Sequence, residues 1–148
     1  MDERQESDER RRSPTTTARS GEVWIDSEDD ILRARQQARS IAEDIGLSIT
    51  DVTRTVTAVS ELARNVFLYA DEGVMKWREI EDGPRVGIEL VFEDDGPGID
   101  DVDGVLRADH STSNGMGRGI QGTKKLMDDF ELTSSAEKGT TILIRKWR

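Results

Sequence analysis

Between residues 52 and 70 the apolar side chains recur at threes and fours: Val52, Val56, Val59, Ala63, Val66 and Ala70 form one stripe. That is the period of an amphipathic helix. Thr50 or Asp51 stands where a cap is needed, and Asp71-Glu72-Gly73 breaks the helix. An earlier helix is predicted from a cap at Asp26 or Ser27 to about Ile45, with Asp30 in its first turn and Gly46 as its stop. A short strand, 23–25, precedes it. After the second helix the pattern changes to strands at 74–80 and 85–92, joined across the hairpin signal Asp82-Gly83-Pro84. A helix follows over 119–127. A closing hairpin pairs 130–134 with 140–145 around Ala136-Glu137-Lys138-Gly139. Residues 94–114 are polar and glycine-containing, with one helical turn expected near 102–107, and a connection of that length in a compact domain is usually functional. Strands that come mostly as hairpins, beside helices, indicate an α+β layer and not an alternating parallel fold.

Composition changes this picture at one end and narrows the chemistry. Residues 1–20 hold almost no apolar side chains and many Arg, Glu, Asp, Ser and Thr, so they cannot bury enough surface to offset chain entropy. Residues 1–21 are therefore expected to be a disordered tail and 22–148 a single domain. The tail lacks the apolar centre of a signal peptide, and no stretch is long enough to span a membrane. The chain of 148 residues has no cysteine and one histidine, His110, which excludes disulfides and Cys/His metal clusters. The net charge of −10 argues against nucleic acid as a partner.

Four short segments carry candidate chemistry. Glu61 and Asn65 lie four apart on the second helix, so they share a face. At roughly 100° per residue that face lies about 160–220° from the valine stripe. A glutamate there is ordinary, but an Asn in mid-helix needs a partner, because its amide competes with the backbone. A Mg²⁺ ion bridging phosphates would fit it, with Glu61 one turn away to take a proton from a hydroxyl. Asp94 closes the strand, and Gly96 and Gly98 let the backbone turn closely past a flat ligand; the aspartate could accept a hydrogen bond from the adenine amine. Gly115, Gly117 and Gly119 alternate directly before a helix, whose free amides would attract phosphate. The segment from Gly117 to Gly122 formally matches a dinucleotide fingerprint, but a polar loop precedes it where a strand is required. Gly117 to Lys124 misses the P-loop pattern because its lysine is displaced. Gly139-Thr140 enters the last strand. His110 has no partner cluster.

In this order the segments resemble the boxes of the GHKL ATPases, the superfamily of gyrase, Hsp90, histidine kinases and MutL. Glu61-x-x-x-Asn65 is similar to the N box, and Asp94-x-Gly96-x-Gly98 and Gly115-x-Gly117-x-Gly119 to the two glycine boxes. Gly139-Thr140 resembles the last box, and the intervening loop would be the ATP lid. The likeness covers residues 22–147. Longer runs, SELARNVFLYA, EDDGPGI and STSNGMGRGIQGTKKLMDDF, resemble the RsbT-type stressosome switch serine/threonine kinases of the anti-sigma regulatory branch. Arg118 departs from them, standing where that family usually has a small residue. The resemblance implies a two-layer GHKL (Bergerat) sandwich with a mixed, mostly antiparallel sheet and helices on one face. It implies a cytoplasmic kinase using ATP and Mg²⁺, with a STAS-domain scaffold protein as substrate and a PP2C-type phosphatase as downstream partner. A homodimer is compatible with it. Asn65 would hold the metal, Glu61 would act as base and Asp94 would anchor adenine. Gly96, Gly98, Gly115, Gly117, Gly119 and Thr140 would complete the nucleotide site. An anti-sigma factor with antagonist-kinase activity, or a non-catalytic nucleotide-gated binding module, are the alternatives. The chain has no helix pair carrying a phospho-acceptor, so it is not expected to be a histidine kinase.

Overall fold

Hairpin pairing and two amphipathic helices build most of the molecule, as the computed structural model shows. It describes residues 15–70, 72–96, 116–135, 137 and 139–148, without the side chains of 15–18 and 116–118. In chain order the elements are β1 (Thr15–Ile25), α1 (Glu28–Asp44), α2 (Ile49–Tyr69), β2 (Gly73–Asp82), β3 (Arg85–Asp94), α3 (Met116–Leu126), β4 (Asp129–Ser135) and β5 (Gly139–Trp147). The strands form one sheet in the order β1-β2-β3-β5-β4. Every pairing is antiparallel, where the resemblance left room for a parallel one.

One face of this sheet carries the core. Ile25, Met75, Leu90, Phe92, Ile142 and Ile144 meet Ala34, Ala38 and Ile41 of α1 and the α2 stripe of Val52, Val56, Val59, Ala63 and Val66. Ala70, the last of the expected stripe, is instead the C-cap residue of α2. Burying each large apolar side chain contributes about 1.5–3 kcal/mol. Ile120 of α3 and Met127 just beyond it join the same core. The arrangement is an α+β sandwich of one antiparallel sheet under one helical layer.

Element boundaries shift from the expected ones for local reasons. The first strand begins at Thr15, not at 23, so the tail expected over residues 1–21 is strand from Thr15 to Gly21; residues 1–14 lie outside the described residues. Apolar periodicity does not register this extension because it is held by backbone pairing, Thr15 with Glu81 and Thr16 with Ile80, and because β-branched Thr suits an edge strand. The cap of α2 is Ser48, whose Oγ accepts the Asp51 amide at 3.1 Å, upstream of the expected cap at Thr50 or Asp51. In α1 the Asp30 carboxylate turns back to accept from the Asp26 amide and the Ser27 hydroxyl. The Asp26 amide, with these further bonds, holds the Asp30 carboxyl down at about 2.

The sheet's helix-free face hides an ionic cluster that spacing does not reveal. Glu89 is 4% exposed. It accepts from Arg78 Nε at 2.6 Å and Nη2 at 3.1 Å, and from Arg145 Nε at 2.8 Å. Burial pushes the Glu89 carboxyl up, but the two guanidiniums outweigh it and hold it below the usual range. Its ionised form therefore stabilises the fold at neutral pH, and that contribution is lost as pH falls through the depressed folded value. Glu89→Gln leaves two part-buried, still charged arginines without their counter-charge and is expected to cost about 3 kcal/mol. Urea unfolding at neutral pH reads the loss, and a midpoint unchanged from wild type would show that the cluster contributes nothing.

Candidate functional site

Glu61 and Asn65 project from the middle of α2, whose burial is wider than the valine stripe: Thr55, Ala58 and Leu62 are buried as well. The two residues are consequently half-buried and not on a bare outer face. They lie against α3. A Cβ added to Gly119 would stand 3.1 Å from Glu61 Oε2 and 4.0 Å from Asn65 Nδ2, so a residue without a side chain is what lets the backbone of α3 approach this pair. Thr123, fully buried one turn further on, donates from Oγ1 to the Gly119 carbonyl at 2.9 Å and keeps that turn closed.

The Asn65 carboxamide is the strongest chemical signal here. Its Nδ2 is buried and has no hydrogen-bond partner among the described residues. Leaving such a group unmet costs about 1–3 kcal/mol. A donor so placed suits an anionic oxygen, and turning the amide about its last bond would offer its oxygen to a cation instead. Glu61 likewise makes no hydrogen bond or ion pair among the described residues, so its carboxylate oxygens are open to a hydrogen-bond donor.

A second cluster forms where β3 ends. Asp94 Oδ1 accepts the Gly96 amide at 2.9 Å and the Thr140 amide at 3.4 Å, while Oδ2 accepts nothing among the described residues. Burial is the main influence on this carboxyl and raises it above the ordinary aspartate value. The Gly96 and Thr140 amides pull the other way, and Asp95 nearby adds to the rise. Thr140 is itself buried, and its Oγ1 lies 2.9 Å from Ser134 Oγ across the β4–β5 hairpin. Gly139 makes that hairpin fit: its φ is +79°, and a Cβ there would collide with the Asp94 carbonyl.

The structure thus brings Glu61, Asn65 and Gly119 together, and separately Asp94, Gly96 and Thr140. Gly98 and Gly115, with the expected lid and the helical turn near 102–107, lie outside the described residues. The third expected segment changes character. Because α3 begins at Met116 and not at 119, Gly117 and Gly119 fall within its first turns and not in a loop before it. The Gly117 amide still belongs to the first N–H groups of a helix, which have no intrahelical acceptor. Ser134 and Thr123 escaped sequence reasoning. Ser134 is tied to Thr140 only by cross-strand register, and Thr123 by a local hydroxyl-to-carbonyl bond that any mid-helix Thr could make. Among the described residues no three His, Cys, Asp or Glu side chains are grouped to hold a metal by themselves.

The residues fit a magnesium nucleotide on three counts: a buried Asn65 Nδ2 unmet among the described residues, a side-chain-free approach at Gly119, and an Asp94 oxygen, Oδ2, that accepts nothing among the described residues.

Comparison with known proteins agrees in kind. The model of the histidine kinase-like ATPase domain matches residues 25–146. The serine/threonine-protein kinase RsbT of Bacillus subtilis is 44% identical over 125 residues, covering 84% of this chain and 94% of that protein. An anti-sigma F factor of a Thermoanaerobacter species is 26% identical over 120 residues, covering 77% and 82%. Among solved structures, the RsbU and RsbW domains of a Mycobacterium tuberculosis protein superpose with a TM-score of 0.59 at 18% identity. That match takes in 93% of this chain but only 34% of the longer one, and it speaks for the fold.

Proposed function

The chain belongs to the histidine kinase-like ATPase domain family, as a serine/threonine protein kinase, and from that premise we propose that it phosphorylates a STAS-domain protein in a cytoplasmic stress-signalling partner switch. Its release from that protein then activates a PP2C-type phosphatase. The observation that carries the reading is the buried Nδ2 of Asn65, without a hydrogen-bond partner among the described residues, beside Glu61 and Gly119. The 44% identity to a named kinase, against 26% to a named anti-sigma factor, supports catalysis over sequestration.

In this reading Asp94 holds the adenine amine through Oδ2, its other oxygen being taken by the Gly96 and Thr140 amides. Gly96 and Gly98 keep the backbone close to the base. Asn65 holds Mg²⁺, and the amides at Gly115, Gly117 and Gly119 face the phosphates at the N-terminus of α3. Mg²⁺ bound with ATP supplies charge neutralisation on the phosphates. The acceptor hydroxyl oxygen forms its bond to the terminal phosphorus as the bond to the bridging oxygen breaks. Glu61 takes the hydroxyl proton, and ADP leaves. The helix contributes position more than covalent chemistry: Glu61 and Asn65 are one turn apart on one rigid element, so the proposed base and the residue that would hold the metal keep a constant separation.

With no all-protein metal cluster among the described residues, the metal should enter with the nucleotide. Calorimetry is expected to show ATP binding that weakens strongly in EDTA and in Asn65→Ala. Equal binding with and without the chelator would take Asn65 out of the metal site. Incubating the protein with labelled ATP and STAS-domain proteins of the same organism tests the activity itself.

A further inference from the structure

Beside Asn65, on the outer side of the helical layer, α1 and α2 leave a groove of about 340 Å³ between them. The two helices form an antiparallel hairpin, so the first turns of α1 lie next to the last turns of α2. Each helix contributes the same set of groups: Ile31, Leu32 and Arg35 from α1, and Arg64, Phe67 and Leu68 from α2. Leu32 is 50% exposed and Leu68 56%, among the few large apolar residues left in solvent. Ile31 and Phe67 form the floor, packed on the core.

The arginines of this groove differ from most others whose side chains are described. Arg19, Arg33, Arg54, Arg78, Arg85 and Arg145 are paired with carboxylates. Arg35 and Arg64 make no ion pair among the described residues, although the chain carries an excess of acid. Glu28 also borders the groove. It sits in the first turn of α1, where the helix dipole favours an acid. Two unspent guanidiniums flanking exposed leucines form a local positive, apolar patch on a molecule of net charge −10. An acidic partner is repelled by such a molecule elsewhere and drawn to this patch, which orients it on approach.

The groove shares α2 with the proposed base. Arg64 lies three residues from Glu61, about 4.5 Å along the helix axis, and is the neighbour of Asn65. A chain segment seated between Leu32 and Leu68 is therefore anchored within about two turns of α2 from the proposed base.

We propose that this α1–α2 groove docks the phosphoryl-acceptor protein through an acidic surface segment bearing two apolar side chains one helical turn apart. The leucines and Phe67 take the apolar side chains, and Arg35 and Arg64 take the carboxylates. This rests on the kinase reading for the identity of the docked protein, but not for the docking itself.

The test titrates a STAS-domain protein of the same organism against wild type, Arg35→Glu/Arg64→Glu and Leu68→Asp, at low and high salt. Transfer, ATP affinity and direct binding are each measured. Both variants are expected to raise KM for the acceptor about tenfold, with kcat at saturating acceptor and ATP affinity within about twofold. The wild-type KM should rise with salt, and the arginine variant should lose that dependence. Unchanged KM with an unchanged salt slope would overturn the docking site. So would a parallel loss of ATP affinity, which would make the arginines structural. If wild type transfers no phosphate, the kinase reading fails while docking is still decided by calorimetry: binding weakened by the charge reversal supports it, and no binding to wild type overturns it. Dissociation of a homodimer by the reversal, with acceptor binding intact, would assign the groove to a second copy of this chain and also overturn the proposal.

Discussion

Glu61→Gln is expected to lower phosphoryl transfer by about 10²–10⁴, the usual share of a general base, while ATP affinity stays within a few fold. Glutamine preserves the volume against Gly119, where Glu61 Oε2 already stands 3.1 Å from the place a Cβ would occupy. It removes only the ability to accept a proton. Asn65, one turn along α2, is untouched, so binding of the magnesium nucleotide should persist. Single-turnover transfer to the STAS-domain protein, measured beside calorimetry with ATP, separates the two effects. Transfer at the wild-type rate would remove Glu61 from the role of base. A wild type that binds ATP and its STAS protein yet never transfers phosphate would favour the nucleotide-gated binding module.

Asp94→Asn should weaken ATP binding on the order of ten- to hundredfold, since a hydrogen bond to a charged group is worth about 1.5–3 kcal/mol. The amide oxygen can still accept from the Gly96 and Thr140 amides, so the turn at the end of β3 should survive. The effect on stability runs opposite to that on binding. Burial raises the Asp94 carboxyl, with the Gly96 and Thr140 amides opposing and Asp95 adding to the rise. The folded state therefore binds a proton more readily than the unfolded chain, and stability falls as pH rises through the raised folded value. Removing the charge should leave the melting temperature at neutral pH unchanged or higher. In wild type, ATP affinity should decline on acidification at a pH above that expected of an ordinary aspartate, and the variant should lack that titration. A variant whose preference for ATP over GTP matches wild type would show that Asp94 is not the adenine anchor.

Much of the candidate site was legible because its pieces are local. Glu61 and Asn65 share a face by helix geometry alone, and the valine stripe on the same helix pointed to the core, as Val52, Val56, Val59, Ala63 and Val66 are all buried. Turn chemistry placed Gly83 in the β2–β3 hairpin and Gly139 at the start of β5. Even where bounds moved, as at Ser48 or Met116, the kind of element held, since caps and first turns depend on only a few neighbouring residues.

Other features join residues far apart in the chain, and no period or spacing carries them. The Thr140 amide reaches Asp94 across 46 positions, and Arg145 reaches Glu89 across 56. Gly119 meets Glu61 only because α3 packs on α2. The strand at Thr15 exists because β2 offers it backbone partners, a contribution independent of side-chain hydropathy. The groove of Arg35 and Arg64 appears only once two helices lie antiparallel. By itself the sequence determined the helices, the hairpins and the residue types available for a nucleotide, because these follow from dihedral preference and periodicity over a few residues. The tertiary structure alone decided which of those groups meet, which are stripped of water, and which are left with an unmet hydrogen bond, because packing and desolvation depend on neighbours that sequence distance does not specify.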